Sequence, residues 1–575
     1  MSHPTRPLWI ARVAGTQAEM GRQHGALVAA AGGADATVAH YRDLPAQLLT
    51  GDVPAVARPL VAAAIRGASE LLLARLEAHR PAPLVARSRA FMTAAGQPPG
   101  WSRYLAVMDL FQNYVGVAAR LGVGPFAAPA RAVALAAAQP ACSTAIVWGA
   151  AAADGTLRHA RNFDFPGVGV WDATPAIVVC QPTGGQPYAF ITTRGGDTPV
   201  VTVWNQAGLV FTSHTRFHRE VCFDGATIVD LIHGLAAEAQ TLADVERLVR
   251  GRRVASSWGV AVSSWRERAA LSLELHGGAA AVVRPAPGAD QLIVANRYRD
   301  PAMTVGEVAA SPAWVLHSDR REARLRALVA AAVVRGGATV DDLVAMLTDR
   351  VDPAAPDRPR HLGGVVAQPC QVHSVVVEPA HQRVHLGVAA APVGVGAWAT
   401  VEVDWAGPTG AWEVGRTPID VGVRVSDGPR RPRPPGTDAV ARAMALEQST
   451  HDQAGIAAAL AEAIAADPDD PSLRMAMAWT AMRQGEFAAA QAQVVVGLRH
   501  ETLSYRRGQL LLWGARAATA AGADAQAQAW RAELAAMCGP DLDELQAAGA
   551  RDRHRPARWF RRRPSANLFM MDAIC

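Results

Sequence analysis

Lysine is missing from the chain: all 56 basic residues among its 575 are arginine. That absence removes every chemistry that needs a primary amine on a side chain. A Walker A phosphate loop, a kinase-type strand lysine, a pyridoxal-phosphate Schiff base and a Ser-x-x-Lys hydrolase are all excluded. A Gly-x-Ser-x-Gly elbow and a His-Glu-x-x-His pair are absent as well. Cysteine is scarce. Its six copies, Cys142, Cys180, Cys222, Cys370, Cys538 and Cys575, lie far apart, without C-x-x-C or metal-ligand spacing, as in a reducing compartment. No apolar run reaches the ~18 residues of a membrane span, and the start, MSHPTRPLWIARVAG, has no apolar signal core. A cytoplasmic location without a membrane partner is the expectation. Net charge is only +5, and arginine mixes with aromatics only in one short tail, so no nucleic-acid partner is expected.

What is present is ample for a buried core. Half of the residues are apolar and 19% are charged, a composition that argues against long disorder. From about 15 to 135, Ala, Leu and Arg recur at three- and four-residue intervals, as in VARPLVAAAIRGASELLLARLEAHR, which predicts helices broken at the prolines of 81–83 and 97–99. From 142 to about 405 the pattern changes to short Val-, Ile- and Thr-rich runs separated by Asp-Gly, Gly-Gly and Pro turns, with helical segments at 226–250 and 318–350. That alternation predicts a layered α+β domain on antiparallel sheets. SDGPRRPRPPGTD (425–437) reads as a linker. Beyond it an Ala-rich helical region places Gly485 and Gly522 at equivalent points of GEFAAAQ and GADAQAQ, a tetratricopeptide-like repeat in outline. The expected division is a helical N-terminal segment 1–141, a catalytic domain 142–410, a linker 411–437, a helical domain 438–550 and an Arg-rich tail 551–575. The tail reads as a solvated end, and Cys575 is misplaced for prenylation.

The stretch CSTAIVWGAAAADGTLRHARNFDF, from Cys142, predicts a strand, a turn and a second strand. A cysteine at a strand start is by itself more often a small buried hydrophobe than a nucleophile. A loop centred on Ala153 would place Cys142 opposite Asp164. Arg161 and Asp164, three apart, belong to opposite faces of a regular strand, but Pro166-Gly167 suggests a bend that turns both toward the cysteine. A nearby guanidinium favours thiolate, and a carboxylate can orient an amine or the arginine. No papain-like His-Asn context is present, so the base must come from elsewhere. Cutting the Ala141–Cys142 bond would supply one: an α-amine with a pKa near ~8 beside its own thiol.

With these residues the hairpin resembles the cysteine N-terminal nucleophile (Ntn) hydrolases, specifically the autoproteolytic acyltransferase family typified by penicillin (isopenicillin N) acyltransferase. Choloylglycine hydrolases and acid ceramidase are more distant members of the superfamily. GTQAEMGRQHGALV (15–28), VWNQAGLVFTSHT (203–215), LIVANRYRDP (292–301) and HSDRREARLRALV (317–329) match further family segments in order. The resemblance covers roughly residues 10 to 405. It implies a four-layer α-β-β-α sandwich, self-cleavage of a zymogen before Cys142, no cofactor, and hydrolysis or transfer of an acyl group from an amide or thioester through S-acyl-Cys142. It further implies that Asp164 positions the freed amine, that Arg161 fits the arginine used by choloylglycine hydrolases, and that Asn296 supplies an oxyanion donor. Arg321 matches the arginine of the helix that starts at Ser318, with Arg324 one turn on. A second oxyanion donor would come from the end of the 203–215 strand, where relatives tend to carry Asn; His214 and Thr215 stand here instead, which makes His214 a candidate catalytic residue.

Other assignments remain open alongside these. Asn205 serves equally well as a turn residue before Gly208. His214 and His218 have the spacing of a helical metal pair but follow a strand run without a third ligand, so no metal is expected. His24 and the glycines of GRQHG suit helix packing. The substrate would be a small acyl compound, and the helical repeats could hold a protein partner. The rival reading is a non-catalytic helical-repeat scaffold with a vestigial catalytic domain.

Overall fold

The computed structural model describes residues 5–50, 53, 56–122, 141–309 and 312–561. Two large sheets form its centre. The nine-stranded sheet runs, edge to edge, Ala279–Val283, Ala269–His276, Trp258–Ser264, Leu209–Thr215, Thr202–Asn205, Tyr188–Thr193, Pro175–Pro182, Trp9–Gly15 and Gly410–Glu413. The seven-stranded sheet runs Gln291–Val294, Ala141–Val147, Arg158–Asp164, Gln371–Glu378, Arg383–Gly387, Ala397–Val403 and Val423–Arg430. Among the described residues every pairing in these sheets is antiparallel except that of Trp9–Gly15 with Pro175–Pro182.

The period-2 alternation of the strands decides what each face meets. Trp9, Ala11, Val13, Val178 and Cys180 pack with Met20, Tyr41, Phe91, Phe111 and Leu231, on helices Gln17–Ala30, Asp35–Thr50, Ala82–Ala94, Val107–Leu121 and Ile228–Glu238. Ile10, Ile177, Val179 and Ile191 point the other way, onto Val375, Val377, Leu386 and Val401 of the seven-stranded sheet. The outer face of that sheet, through Ala145, Ala160 and Val376, meets Leu325, Val329 and Leu343 of helices Pro312–Val334 and Val340–Leu347. Central strands buried on both faces account for their near-continuous apolar runs.

A separate core joins the C-terminal helices, with Leu460, Leu473, Trp479, Leu511 and Trp530 at its centre. Pro471 opens helix Pro471–Gln484 behind the Asp470 N-cap, whose carboxylate accepts from Ser472 N. Gly485 (φ +85°) and Gly522 (φ +80°) end helices Pro471–Gln484 and Ser504–Ala521 in the left-handed conformation that glycine adopts without a Cβ clash. Among the described residues no helix is long and apolar enough to cross a membrane.

Four expectations change. The stretch 411–437 is not merely a connector: Gly410–Glu413 pairs with Trp9–Arg12 and Val423–Arg430 forms an edge strand, because their alternating apolar residues cover the sheet interior. The segment before Cys142 is not wholly helical, since Trp9–Gly15 lies between two strands from beyond it. The hairpin register is one residue off: Ala141 pairs with Asp164 and Cys142 with Phe163, because the loop from Trp148 to Leu157, with its short helical turn Gly149–Ala151, is centred between Ala152 and Ala153. The strand also stays regular through Asp164 instead of bending toward the cysteine. Pro140, Cys575 and the tail from 562 lie outside the described residues, whereas Phe560 is buried on the preceding helix.

Candidate active site

Register places two different groups on the two faces of the hairpin. Cys142, Thr144, Arg161 and Phe163 share the face toward the nine-stranded sheet; Ala141, Ser143 and Asp164 share the other. On the first face Arg161 Nη2 donates to Cys142 Sγ at 3.1 Å, and the same guanidinium is fixed by the Val201 and Ser213 carbonyls at 2.7 Å each. The Thr215 N–H also faces Sγ. Burial raises the thiol pKa; Arg161 and the Thr215 amide oppose it, and the Asp164 charge adds to it. In the intact chain Cys142 is thus a thiol held among donors that would stabilise its thiolate.

The backbone of Cys142 is gripped separately. Its N–H donates to Asn296 Oδ1 at 3.0 Å, and its carbonyl accepts from Arg321 Nη1 at 2.5 Å. Arg321 Nη1 also donates to Ser143 Oγ (2.8 Å) and Nη2 to Asn296 Oδ1 (2.7 Å). Asn296 Nδ2 donates to the Thr215 carbonyl at 3.1 Å. Two obligate donors on Oδ1 and a carbonyl on Nδ2 leave only one orientation for this amide. Asn296 follows strand Gln291–Val294, and its own N–H donates to Ser318 Oγ at 3.0 Å, one helical turn before Arg321. The Ser318–Arg321 spacing therefore presents both groups on one helix face.

Asp164 is the most unbalanced group. It is fully buried, and neither carboxylate oxygen has a hydrogen-bond partner. Burial pushes its pKa up to about 7, against the pull of Arg321 and, more weakly, Arg161. Its place is opposite Ala141, the residue before the nucleophile.

His214 meets the strand of Cys142 two residues on: its Nε2 is 2.9 Å from Thr144 Oγ1, and Nδ1 is buried without a partner. Burial, with Arg216 and Arg161 nearby, holds its pKa well below the usual histidine value, so the ring is neutral. It belongs to a polar seam between the sheets, continuing from Thr144 through Thr212 to His159 and Ser263. His218 stacks instead on His276 with ring centroids 4.0 Å apart, so the two histidines of HTRFH do not share a ligand position.

The other singled-out residues lie elsewhere. Arg324 pairs with Asp349 at 2.7 and 2.8 Å. Asn205 donates to the Ala236 and Ala239 carbonyls at a helix end and accepts from Leu209 N, a packing and turn role. His24 bonds Asp197, which also holds Arg87. Among the described residues the one His/Cys/Asp/Glu group compact enough for a metal ion is His361, Asp467 and Asp470, and it includes neither His214 nor His218.

Ser318 and Arg321 share a helix as expected, but that helix begins at Pro312 and not at Ser318. Sequence reading missed the Thr215 amide, Ser143, the His159–Thr212 seam and His317, whose Nδ1 accepts from Arg321 Nε at 3.3 Å. Backbone donors carry no residue-type signal. His317 stands four residues before Arg321 in HSDRREARLRALV, and that spacing was the available sign.

No protein-family model matches the chain, and no curated protein matches it. Among the solved structures to which it is similar is the Caenorhabditis elegans N-acylethanolamine-hydrolyzing acid amidase ortholog, at 15% identity over 41% of this chain and 93% of that one, with a TM-score of 0.31. Another is a mutant conjugated bile acid hydrolase from Clostridium perfringens, at 10% identity over 51% of this chain and 98% of that one, with a TM-score of 0.33.

Proposed function

We propose that the chain is a self-processing cysteine amidohydrolase or acyltransferase of the N-terminal nucleophile class, with Cys142 as nucleophile. One observation carries the reading: donors meet Sγ, Asn296 and Arg321 fix the Cys142 backbone, and an unpartnered buried carboxylate sits opposite the preceding residue. Stacked helices, sheet, sheet and helices fit the four-layer sandwich, and the glycine-capped helix pairs fit a tetratricopeptide-like domain able to hold a protein partner. A cytoplasmic setting suits the free cysteines.

In the first step Cys142 Sγ attacks the Ala141 carbonyl carbon. The Ala141–Cys142 peptide bond breaks, the chain becomes a thioester on Sγ, and the nitrogen takes up the thiol proton as an amine. Water then cleaves the thioester, leaving an Ala141 carboxylate and a free Cys142 α-amine. The new ammonium supplies Asp164 with the hydrogen-bonding cation it lacks in the intact chain, and its charge draws the thiol pKa down. In turnover the neutral amine accepts the thiol proton and Sγ attacks the acyl carbon. The α-ammonium then returns a proton to the leaving amine or thiol, and water or an acceptor amine resolves S-acyl-Cys142. Arg161, the Thr215 N–H and the second N–H of Asn296 Nδ2 are the donors available to the oxyanion.

The N-terminal piece stays bound after the cut as a small subunit. It contributes strand Trp9–Gly15, buried from Trp9 to Val13, and two buried ion pairs, Arg80–Asp230 at 2.8 Å and Arg87–Asp197 at 2.7 Å. Intact mass after expression tests the reading. The expected result is two fragments meeting at Ala141/Cys142, and one uncut chain for Cys142→Ala. A wild-type chain that remains whole and takes no cysteine-directed acyl probe at Cys142 would overturn it. Adding an amine acceptor and looking for its acylated product separates transfer from hydrolysis.

A further inference from the structure

The C-terminal helices do not hang from the catalytic domain by a tether; they are clamped to the two segments that support Arg321 and Asp164. The first is the start of helix Pro312–Val334. Leu316 packs against the helical core, and His317 is half-buried with Arg506 of helix Ser504–Ala521 among the charges that face it. The second is the stretch 360–370. Arg360 forms a buried pair with Glu501 at 2.8 and 2.9 Å, His361 N donates to Asp470 Oδ2 at 2.7 Å, and Leu362 N donates to Ser472 Oγ at 3.2 Å. Leu362 itself belongs to the helical core. Four and eight residues after Leu362, the same stretch reaches the nucleophile hairpin: the Val366 carbonyl accepts from Asn162 Nδ2 at 3.2 Å, and the Cys370 carbonyl from Phe165 N at 3.0 Å.

We infer that the helical domain is a working part of the active site, holding Arg321 in place through His317 and the 360–370 stretch. His317 is a positioning residue: as a neutral ring its Nδ1 accepts from Arg321 Nε at 3.3 Å, which aims Nη1 at the Cys142 carbonyl and Nη2 at Asn296. Partial desolvation of the ring, with Arg321, Arg506 and Arg320 around it, holds its pKa well below the usual histidine value, and Gln368 is its other hydrogen-bond partner. A protonated ring would lose the acceptor. The two supports converge because Arg321 is the chief cation opposing the burial of Asp164, the remaining facing groups being Arg161 on its own strand, Cys142 on the neighbouring strand and Cys370 on the clamped stretch. Binding of a partner to the helices would therefore reach the nucleophile through a continuous packed route.

The catalytic meaning of the coupling rests on the function proposed above, but its test does not need activity. Asp164 protonation is followed by infrared difference spectroscopy on the full chain carrying Cys142→Ala, alone and with His317→Ala, His317→Asn or Glu501→Gln. Asn keeps an acceptor atom where Nδ1 stands. Freeing Arg321 weakens its pull on Asp164, so His317→Ala is expected to move the Asp164 midpoint up by about one pH unit, Glu501→Gln in the same direction by less, and His317→Asn back toward the parent. A parent-like midpoint in Glu501→Gln, or in His317→Ala, with unchanged circular dichroism, overturns the inference. A lower midpoint in either also overturns it. Should His317→Ala not fold, Glu501→Gln decides by itself. An uncut wild-type chain would instead strike at the proposed function and leave this measurement standing.

Discussion

Asp164 provides the sharpest test of the electrostatics, because it is buried, unpartnered and opposite the proposed cut. The perturbation is Asp164→Asn in a Cys142→Ala chain, which keeps the peptide bond intact. The carboxyl moves from the ordinary 3.8 to about 7, with burial as the cause and Arg321 and Arg161 opposing it. Each pH unit corresponds to ~1.4 kcal/mol, so ionising Asp164 inside the intact fold costs on the order of 4 kcal/mol. The sign follows from linkage. A carboxyl with a raised folded pKa binds its proton more tightly folded than unfolded, so its contribution is full below about pH 4 and is lost as pH rises to about 7. Asn has no proton to lose. The Cys142→Ala parent should therefore drop in melting temperature between pH 4 and 8 more than the Asp164→Asn double variant does. Infrared difference spectra should show, in the parent alone, a buried-carboxyl band that deprotonates near pH 7 and is lost on Asp164→Asn. Asp109, another buried carboxyl, raised to about 6, titrates in both and serves as an internal reference. Identical pH dependence of melting in the two chains, or no carboxyl band specific to Asp164 near pH 7, would refute the reasoning.

Other consequences can be checked independently. Arg161→Met removes a charge-assisted contact to Sγ worth about 1.5–3 kcal/mol, so labelling of Cys142 by an acyl probe should slow by about 10- to 100-fold; an unchanged rate would show that the guanidinium does not serve the thiolate. Arg80→Ala leaves Asp230 buried without its bidentate partner, at a cost of about 3–5 kcal/mol, so the two fragments of the cut protein should separate in milder denaturant than wild type on size exclusion. Gly25→Ala would place a Cβ 2.3 Å from the Phe91 carbonyl and 2.9 Å from Ala94 Cβ. The packed helices Gln17–Ala30 and Ala82–Ala94 should lose about 1–3 kcal/mol, read as a lower melting temperature; equal melting would mean that the pair can spread without cost.

Sequence alone determined the elements and the chemistry available to them. The change from 3.6- to 2-residue periodicity located the helices and most of the strands, because each face must meet either core or solvent. The Cys142, Arg161 and Asp164 spacing limited these side chains to the two faces of one hairpin. Removal of lysine chemistry followed from composition. Asn296 and Arg321 were legible only by resemblance, since nothing local ties either to a cysteine more than 150 residues away.

Tertiary structure decided the rest. A one-residue difference in loop centring set Asp164 against Ala141 rather than Cys142. The regular strand kept Arg161 and Asp164 apart, so one serves the thiol and the other faces the bond before it. The 411–437 stretch became strands because its apolar residues found a sheet to cover. The Thr215 amide, His317 and the clamp through Arg360 and Glu501 join segments distant in the chain, and their meaning is fixed by burial: a backbone N–H, a neutral ring or a carboxylate acquires a role only when packing removes water and leaves one neighbour to bond.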